Sequence, residues 1–274
     1  MAETWRLLLS GAGDAALNMA IDEAMVSAYR KGGMPPTLRL YTWREPALTI
    51  GYFQEISEEL DWAACQSRKV SVVRRITGGR AVLHGQDITY SVVAGPHSPS
   101  FPTQTIRGTF LTISHAFISA LDHLGLTAEA VESSSRNPKS PLCFASPSWY
   151  EITCEGRKVI GSAQRRWREG FLQQGSVLLS FEPNEFYRLF RFETARRRFE
   201  MIEAAKTKVA GLNDFVELPL SHRKVEEALV TGFEQALGVT FEEGVLTPEE
   251  IEEAHRLALE KYSQDAWNLK RAPI

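Results

Sequence analysis

Two residues of this chain are of a kind to do chemistry together, Cys143 and Lys158, fifteen positions apart. Both lie in the stretch Pro141-Leu-Cys-Phe-Ala-Ser-Pro-Ser-Trp-Tyr-Glu-Ile-Thr-Cys-Glu-Gly-Arg-Lys-Val-Ile-Gly-Ser-Ala-Gln164. A thiol just ahead of a β-hairpin, with a lysine on the returning strand, has the parts of an activated nucleophile. Thiolate is the reactive form, and a nearby ammonium lowers the pKa of a thiol. Such a lysine can also hold a carbonyl or carboxylate oxygen. Gly161, Ser162 and Ala163 follow it, and side chains that small leave room for a ligand to pass. The plainer alternative is a packed loop thiol between Pro141 and Pro147, because a free cysteine is by default a small buried hydrophobe.

A second group reads Arg74-Arg-Ile-Thr-Gly-Gly-Arg80, followed by Ala-Val-Leu-His84. Two arginines end a β-branched strand, and the Gly-Gly turn lets backbone approach a ligand closely. The Gly-Lys-Ser/Thr ending of a P-loop is missing, so nucleotide hydrolysis is not indicated. Composition alone equally allows a plain β-turn with charged flanks.

Other motifs carry less. Gly11-Ala-Gly-Asp-Ala-Ala16 satisfies a loose dinucleotide-binding pattern, but no βαβ unit with an acidic strand end follows, so a helix-entry turn explains it better. Asp22 and Glu23 are adjacent on a helix and point in different directions, so they are not a facing carboxylate pair. His115 and His123 lack cysteine or carboxylate neighbours at ligand spacing, and His97, His222 and His255 have no suggestive company. No metal or other cofactor is implied.

The elements that must position these residues follow from periodicity. Residues 4–10 read as a strand, and Asp14 caps a helix with Leu17, Ala20, Ile21, Ala24 and Ala28 on its core face. Strands are expected over 37–43, 47–53, 70–76 and 87–94, with a helix over 56–67 starting near a Ser57 cap. A strong amphipathic helix covers 105–124 and ends at Gly125. The polar stretch 132–141 reads as a loop of the kind that borders sites. A β-meander follows over 150–154, 157–167 and 171–179, turning at Glu155-Gly156 and Glu169-Gly170. Beyond residue 180 the composition turns helical and charged, and Thr247-Pro-Glu-Glu250 is a capping box opening a helix to 262. The expected fold is α+β, a mixed β-sheet with packed helices: a catalytic domain over 1–215 and a small helical extension over 216–274 packed on it.

Bulk properties narrow the class. The chain has 274 residues, a net charge of −3 and ordinary apolar and charged fractions, so no general attraction to nucleic acid or acidic membranes is implied. No apolar run is long enough to span a bilayer, and the N-terminus lacks a signal-peptide core. Three cysteines without a CxxC pair suit a reducing compartment, so the expected location is the cytoplasm.

Arg74 to His84, Gly156 to Gln164 and the opening Leu17-Asn-Met-Ala-Ile-Asp-Glu23 together resemble the lipoate–protein ligase A / octanoyltransferase superfamily. The likeness runs through Leu172-Gln-Gln-Gly-Ser-Val-Leu-Leu179 to Lys261-Tyr-Ser-Gln-Asp-Ala-Trp-Asn268. Leu142 to Glu151, with its Cys-Phe-x-x-Pro-Ser frame, is similar to one branch of it, the LipM-type octanoyltransferases. The resemblance implies the catalytic-domain fold of biotin/lipoate protein ligases. It implies that Cys143 matches the acyl-thioester cysteine and Lys158 the lysine that depresses its pKa. It further implies substrate-binding roles for Arg75, Thr77, Gly78, Gly79, His84, Gly161, Ser162 and Ala163.

The activity so implied is transfer of octanoyl from octanoyl-acyl carrier protein to a lysine of a lipoyl-carrier domain in endogenous lipoate biosynthesis. The acceptor would be a domain such as glycine cleavage H protein or a 2-oxoacid dehydrogenase E2, and the expected working unit is a monomer. The alternative is an ATP-dependent lipoate–protein ligase in which Cys143 is incidental; a third reading is a non-catalytic scaffold that binds a carrier domain. Ligases show His-Gly where this chain has Gln174-Gly175, and they activate a free acid with ATP without needing a thiol. The amidotransferase branch also uses a cysteine, but in a Cys-Pro-Gly-x-Tyr-Asp setting that Phe144-Ala-Ser-Pro147 does not match.

Overall fold

The computed structural model of the chain describes residues 2–55, 58–101, 105–131 and 151–271. Strand β1 (Glu3–Gly13) runs into Asp14, whose carboxylate accepts the Leu17 N–H at 2.9 Å and so caps α1 (Ala15–Lys31). Then come β2 (Thr37–Trp43), β3 (Ala47–Ile50), α2 (Trp62–Ser67), β4 (Ser71–Arg74), β5 (Val82–His84) and β6 (Asp87–Ala94). Helix α3 (Ile106–His123) is capped by Thr105, and β7 (Ala128–Val131) follows it. The meander is β8 (Glu151–Cys154), β9 (Arg157–Arg166) and β10 (Phe171–Leu178). The last part holds α4 (Pro183–Tyr187), α5 (Ala195–Lys208), α6 (His222–Leu237), β11 (Val239–Glu243), α7 (Pro248–Leu257) and α8 (Asp265–Asn268).

Eight of the described strands form one mixed sheet in the order β11-β1-β2-β6-β10-β9-β8-β7, and β4-β3-β5 form a small second sheet. Strand β1 lies parallel to both β2 and β11, and β2 through β10 to β7 alternate in direction. The period of two sends alternate residues to two cores. On one face Leu38, Leu40, Tyr90 and Val177 pack with Phe117 of α3 and Phe233 of α6. On the other, Tyr41, Val93 and Leu172 pack with Met19 and Met25 of α1 and Leu257 of α7. The small sheet lies on this second side: Val73 of β4 shares the α1 core, and the guanidinium and backbone of Arg74 bond α8.

Two expectations change. The helix over 56–67 is shorter: Asp61 accepts the Ala64 N–H at 3.0 Å and the helix starts at Trp62, because Leu60 is held extended in a bridge to Phe190. Ile56 and Ser57 lie outside the described residues. The charged region beyond residue 180 also contains a strand, β11, absent from the sequence reading. It is short and half polar, and pairing with β1 rather than its own pattern makes it a strand.

The capping box is present as expected. The Glu250 carboxylate accepts the Thr247 N–H at 2.9 Å and also takes both Arg6 terminal nitrogens at 2.7 Å, a buried two-point ion pair joining α7 to β1. Helix α7 continues as a π-helical turn, Ala258–Tyr262, where Lys261 and the Tyr262 hydroxyl both reach Glu23 of α1. No helix among the described residues is long and apolar enough to cross a membrane.

Candidate active site

The Thr77-Gly78-Gly79 loop lies across the middle of β9. A methyl group on Gly79 would stand 3.4 Å from the Ala163 side chain, and Arg165 of β9 donates to Ile76 O at 3.4 Å. Gly79 has φ +87°, a conformation that favours glycine. From the other side Gly51 presses on the loop so closely that a methyl there would fall 2.1 Å from Gly79 O. A methyl on Gly78 would stand in open space.

Arg75 braces this loop from beneath. Its guanidinium donates twice to Gly78 O, at 3.1 and 2.7 Å, once to Arg80 O at 2.8 Å and once to the Thr49 hydroxyl at 3.0 Å. Burial, partly offset by the Tyr41 hydroxyl, pulls its pKa down to about 10, which leaves it cationic at neutral pH. Thr77 is fully buried, and its hydroxyl donates to Gln174 Oε1 at 2.8 Å. Gln174 in turn donates to Asp22, which Arg39 holds at 2.7 Å and the Tyr41 hydroxyl at 2.8 Å. The loop therefore rests on a satisfied buried polar network reaching into α1 and β2.

His84 stacks on Trp43 at 4.2 Å, with both nitrogens engaged. Nε2 lies 2.8 Å from the Thr49 hydroxyl and Nδ1 lies 2.8 Å from Asp87 Oδ2. Burial pushes the Asp87 carboxyl up, but the imidazole, Ser176 and the Gly85 N–H more than offset this, and the net direction is down. Ser176 pairs with Gly161 across β10 and β9, so the histidine's support ends under the small residues of β9.

Lys158 owes its direction to a β-bulge. Ile152 pairs with Ile160 but Thr153 pairs with Lys158, so Val159 is an extra residue on β9. Strict alternation would place Lys158 on the side of Ile160, in the core with Phe117. With the bulge, Val159 and Ile160 both join that core and the ammonium emerges on the other face, 2.6 Å from Glu151 Oε1. These two side chains are 7% and 15% exposed, and so buried an ammonium needs such an anion. The Lys158 backbone is locked by a parallel bridge to Val209, with Ala210 N–H donating to Lys158 O at 3.0 Å.

Gly161, Ser162 and Ala163 are only partly covered, and among the described residues this part of β9 pairs with β10 alone. Ser162 accepts from the Tyr90 hydroxyl at 2.6 Å and so faces the α3 side. Gly161 and Ala163 face the loop side, toward Gly79. Val82, Leu178, Val209 and Phe181 form a small apolar cluster where the chain bridges Lys158.

The structure thus gathers Lys158, Gly161, Ala163 and the Thr77–Gly79 loop on one face. It places Ser162 on the opposite face, and Arg75 and His84 beneath as supports with their hydrogen-bonding atoms committed to protein. Cys143 lies outside the described residues, as does the polar stretch 132–141. Sequence reasoning missed Glu151 as the anion on Lys158, although it stands within the motif that carries Cys143. It also missed Gly51 and Thr49, for which no local signal exists. Asp87, three residues beyond His84, was open to being found by spacing. Cys65 and Cys154 are buried, and burial pushes the Cys154 thiol up to about 11, far from a reactive thiolate.

The chain is similar to known proteins over almost its whole length. The lipoyl protein ligase A/B catalytic domain family matches residues 14–234. The octanoyltransferase LipM of Kyrpidia tusciae is 43% identical over 98% of this chain and all of its own length. Among solved structures, a bipartite lipoate protein ligase of Thermoplasma acidophilum, studied with its E2 lipoyl domain, superposes with a TM-score of 0.85 at 26% identity, covering 100% of this chain and 99% of that one. A lipoate-protein ligase A bound with ATP superposes with a TM-score of 0.81 at 27% identity, covering 97% of this chain and 98% of that one.

Proposed function

From the premise that the chain belongs to the lipoyl protein ligase A/B catalytic domain family, we propose that its octanoyl transfer runs through a covalent thioester on Cys143. The chain is an octanoyltransferase of protein lipoylation, an acyltransferase. The donor in this reading is octanoyl-acyl carrier protein, and the acceptor is a lysine of a lipoyl-carrier domain.

The Cys143 thiolate attacks the donor's thioester carbonyl, and the C–S bond to the carrier's pantetheine breaks as the new C–S bond forms. Lys158 stabilises the thiolate and the oxyanion that develops on the carbonyl. The carrier thiolate leaves and takes up a proton. The neutral lysine amine of the acceptor then attacks the acyl-enzyme, an amide forms, the amine's proton is released and the cysteine sulfur is freed. Exchange between thioesters is near balance, and amide formation carries the sequence forward without ATP.

The observation that carries this reading is the bulge that aims Lys158 at Glu151, the first described residue after the cysteine segment. Glu151 fixes the ammonium beside the point where that segment enters β8. The Thr77–Gly79 loop opposite Gly161 and Ala163 is the proposed seat of the acyl group, and Val82, Leu178 and Val209 offer apolar surface for its chain. Arg75 and His84 keep the substrate roles proposed for them by holding the loop and the wall beneath it, and Ser162 by setting the β9 backbone on Tyr90. Residues 1–215 are the proposed catalytic body, and the cytoplasm, where thiols stay reduced, is the proposed setting.

The deciding experiment is intact-protein mass spectrometry after mixing the enzyme with octanoyl-acyl carrier protein, with and without ATP. An octanoyl adduct on Cys143 without ATP, passed on to a lipoyl domain added later, is the expected result. Strict dependence on ATP together with full activity of Cys143→Ala would overturn the covalent route.

A further inference from the structure

Helix α5 buries only Ile202 and Ala205, which join the core containing Leu48 of the small sheet and Ala81, the residue before β5. Its far end carries Arg196, Arg197 and Arg198 in succession, all exposed, followed by Phe199, which is 63% exposed. Residues 188–208 hold seven cationic side chains against three acidic ones, in a chain whose net charge is −3. The pairs Arg196–Glu200 at 3.0 Å and Arg197–Glu200 at 3.5 Å are surface helical pairs, worth little and easily exchanged for another anion. Arg191, Arg196, Arg197 and Met201 line a groove of 420 Å³, with Glu193 and Glu200 also in its wall. An apolar side chain amid exposed arginines has the make-up of an interface with an acidic protein.

The position of this patch selects the partner. The 14 residues of α5 end at Val209, the residue bridged to the Lys158 backbone. At 1.5 Å per residue the arginines therefore lie about 20 Å along the helix from the site. A lysine side chain is short, so an acceptor domain must sit at the mouth of the site itself. A thioester carried on a pantetheine arm has no such limit, because the arm is long enough for the carrier's body to dock a helix length away. Resting on the thioester route above, we propose that the Arg196–Phe199 end of α5 docks the acidic face of the carrier protein that delivers octanoyl, while the acceptor docks elsewhere.

The test compares two donors with the same reacting bond, octanoyl-acyl carrier protein and octanoyl-pantetheine, by the rate of Cys143 acylation in the full-length enzyme. Replacing Arg196→Glu, Arg197→Glu and Arg198→Glu together is expected to raise KM for the carrier-bound donor at least about tenfold. The rate with octanoyl-pantetheine should stay within about twofold, and added salt should weaken only the carrier-bound donor. The milder set Arg196→Ala, Arg197→Ala and Arg198→Ala guards against misfolding and should show the same selectivity. Equal loss with both donors, or no loss with either, would overturn the proposal. So would a defect confined to the later transfer onto a lipoyl domain, which would make the patch an acceptor site. Absence of any Cys143 adduct from either donor in the unsubstituted enzyme would instead overturn the thioester route, and this proposal with it.

Discussion

At the residue scale, the site is built from charged groups that are each held in place by several partners. Among the described side chains Lys158 is the one proposed to assist the Cys143 thiolate, and Glu151 fixes where its ammonium sits. Replacing Lys158→Ala is expected to shift the pH profile of Cys143 alkylation by iodoacetamide upward, since the thiolate loses a neighbouring cation. An unchanged profile would remove Lys158 from thiolate activation. Asp87 makes the second prediction. Its pKa is lowered in the folded protein, so its stabilising contribution is present above the unfolded value of about 4 and is lost as pH falls through the folded value. Asp87→Asn should cost about 3 kcal/mol in urea unfolding at pH 7 by leaving His84, Thr89 and Ser176 poorly paired. It should also flatten the loss of stability below about pH 4. Equal acid sensitivity in variant and parent would show that Asp87 does not carry that dependence.

At the element scale, two irregularities matter more than the regular structure around them. The β9 bulge turns Lys158 out of the core, and the contact between Gly51 and Gly79 fixes the height of the loop above β9. The first was barely legible in the sequence: Val159 and Ile160 stand side by side as two apolar residues, which fits a bulge, but nothing local says that β8 pairs so as to make one. The second was half legible. Gly78-Gly79 announces a backbone that approaches something closely, but its partner Gly51 lies in a different turn. Gly51→Ala should push the loop away from its seat, raising KM for the octanoyl donor several-fold and costing about 1–3 kcal/mol. Cys143 alkylation should hardly change. A thermal unfolding curve and donor titration matching the parent would show that the loop has slack.

At the scale of the whole molecule, one buried guanidinium joins the end of the chain to the site. Arg74 donates to Gly51 O at 2.8 Å, Tyr52 O at 3.0 Å and Gln54 O at 2.7 Å, and also to Trp267 O and Asn268 O at 3.2 Å. Asn268 accepts the Arg74 N–H at 2.9 Å and donates to Tyr262 O at 2.8 Å. Helix α8 therefore holds the turn that holds the Thr77–Gly79 loop. Asn268→Ala should destabilise the fold by about 1–3 kcal/mol through the unpaired Arg74 N–H, and should weaken donor binding as Gly51→Ala does. If stability falls but donor KM is unchanged, α8 supports the fold without reaching the loop.

The sequence by itself determined most of the strands and helices up to residue 180, the caps at Asp14 and Thr247 and the family, and it marked the two segments proposed to make the site. These depend on local pattern: periodicity, capping chemistry and short motifs whose residues are neighbours in the chain. Tertiary structure alone decided which face Lys158 occupies, that Arg75 and His84 support the loop from beneath, that Val239–Glu243 becomes a strand, and that Arg74 answers to α8. Each is a contact between segments far apart in sequence, where direction is set by a bulge, a neighbouring strand or a buried carbonyl that nothing local encodes.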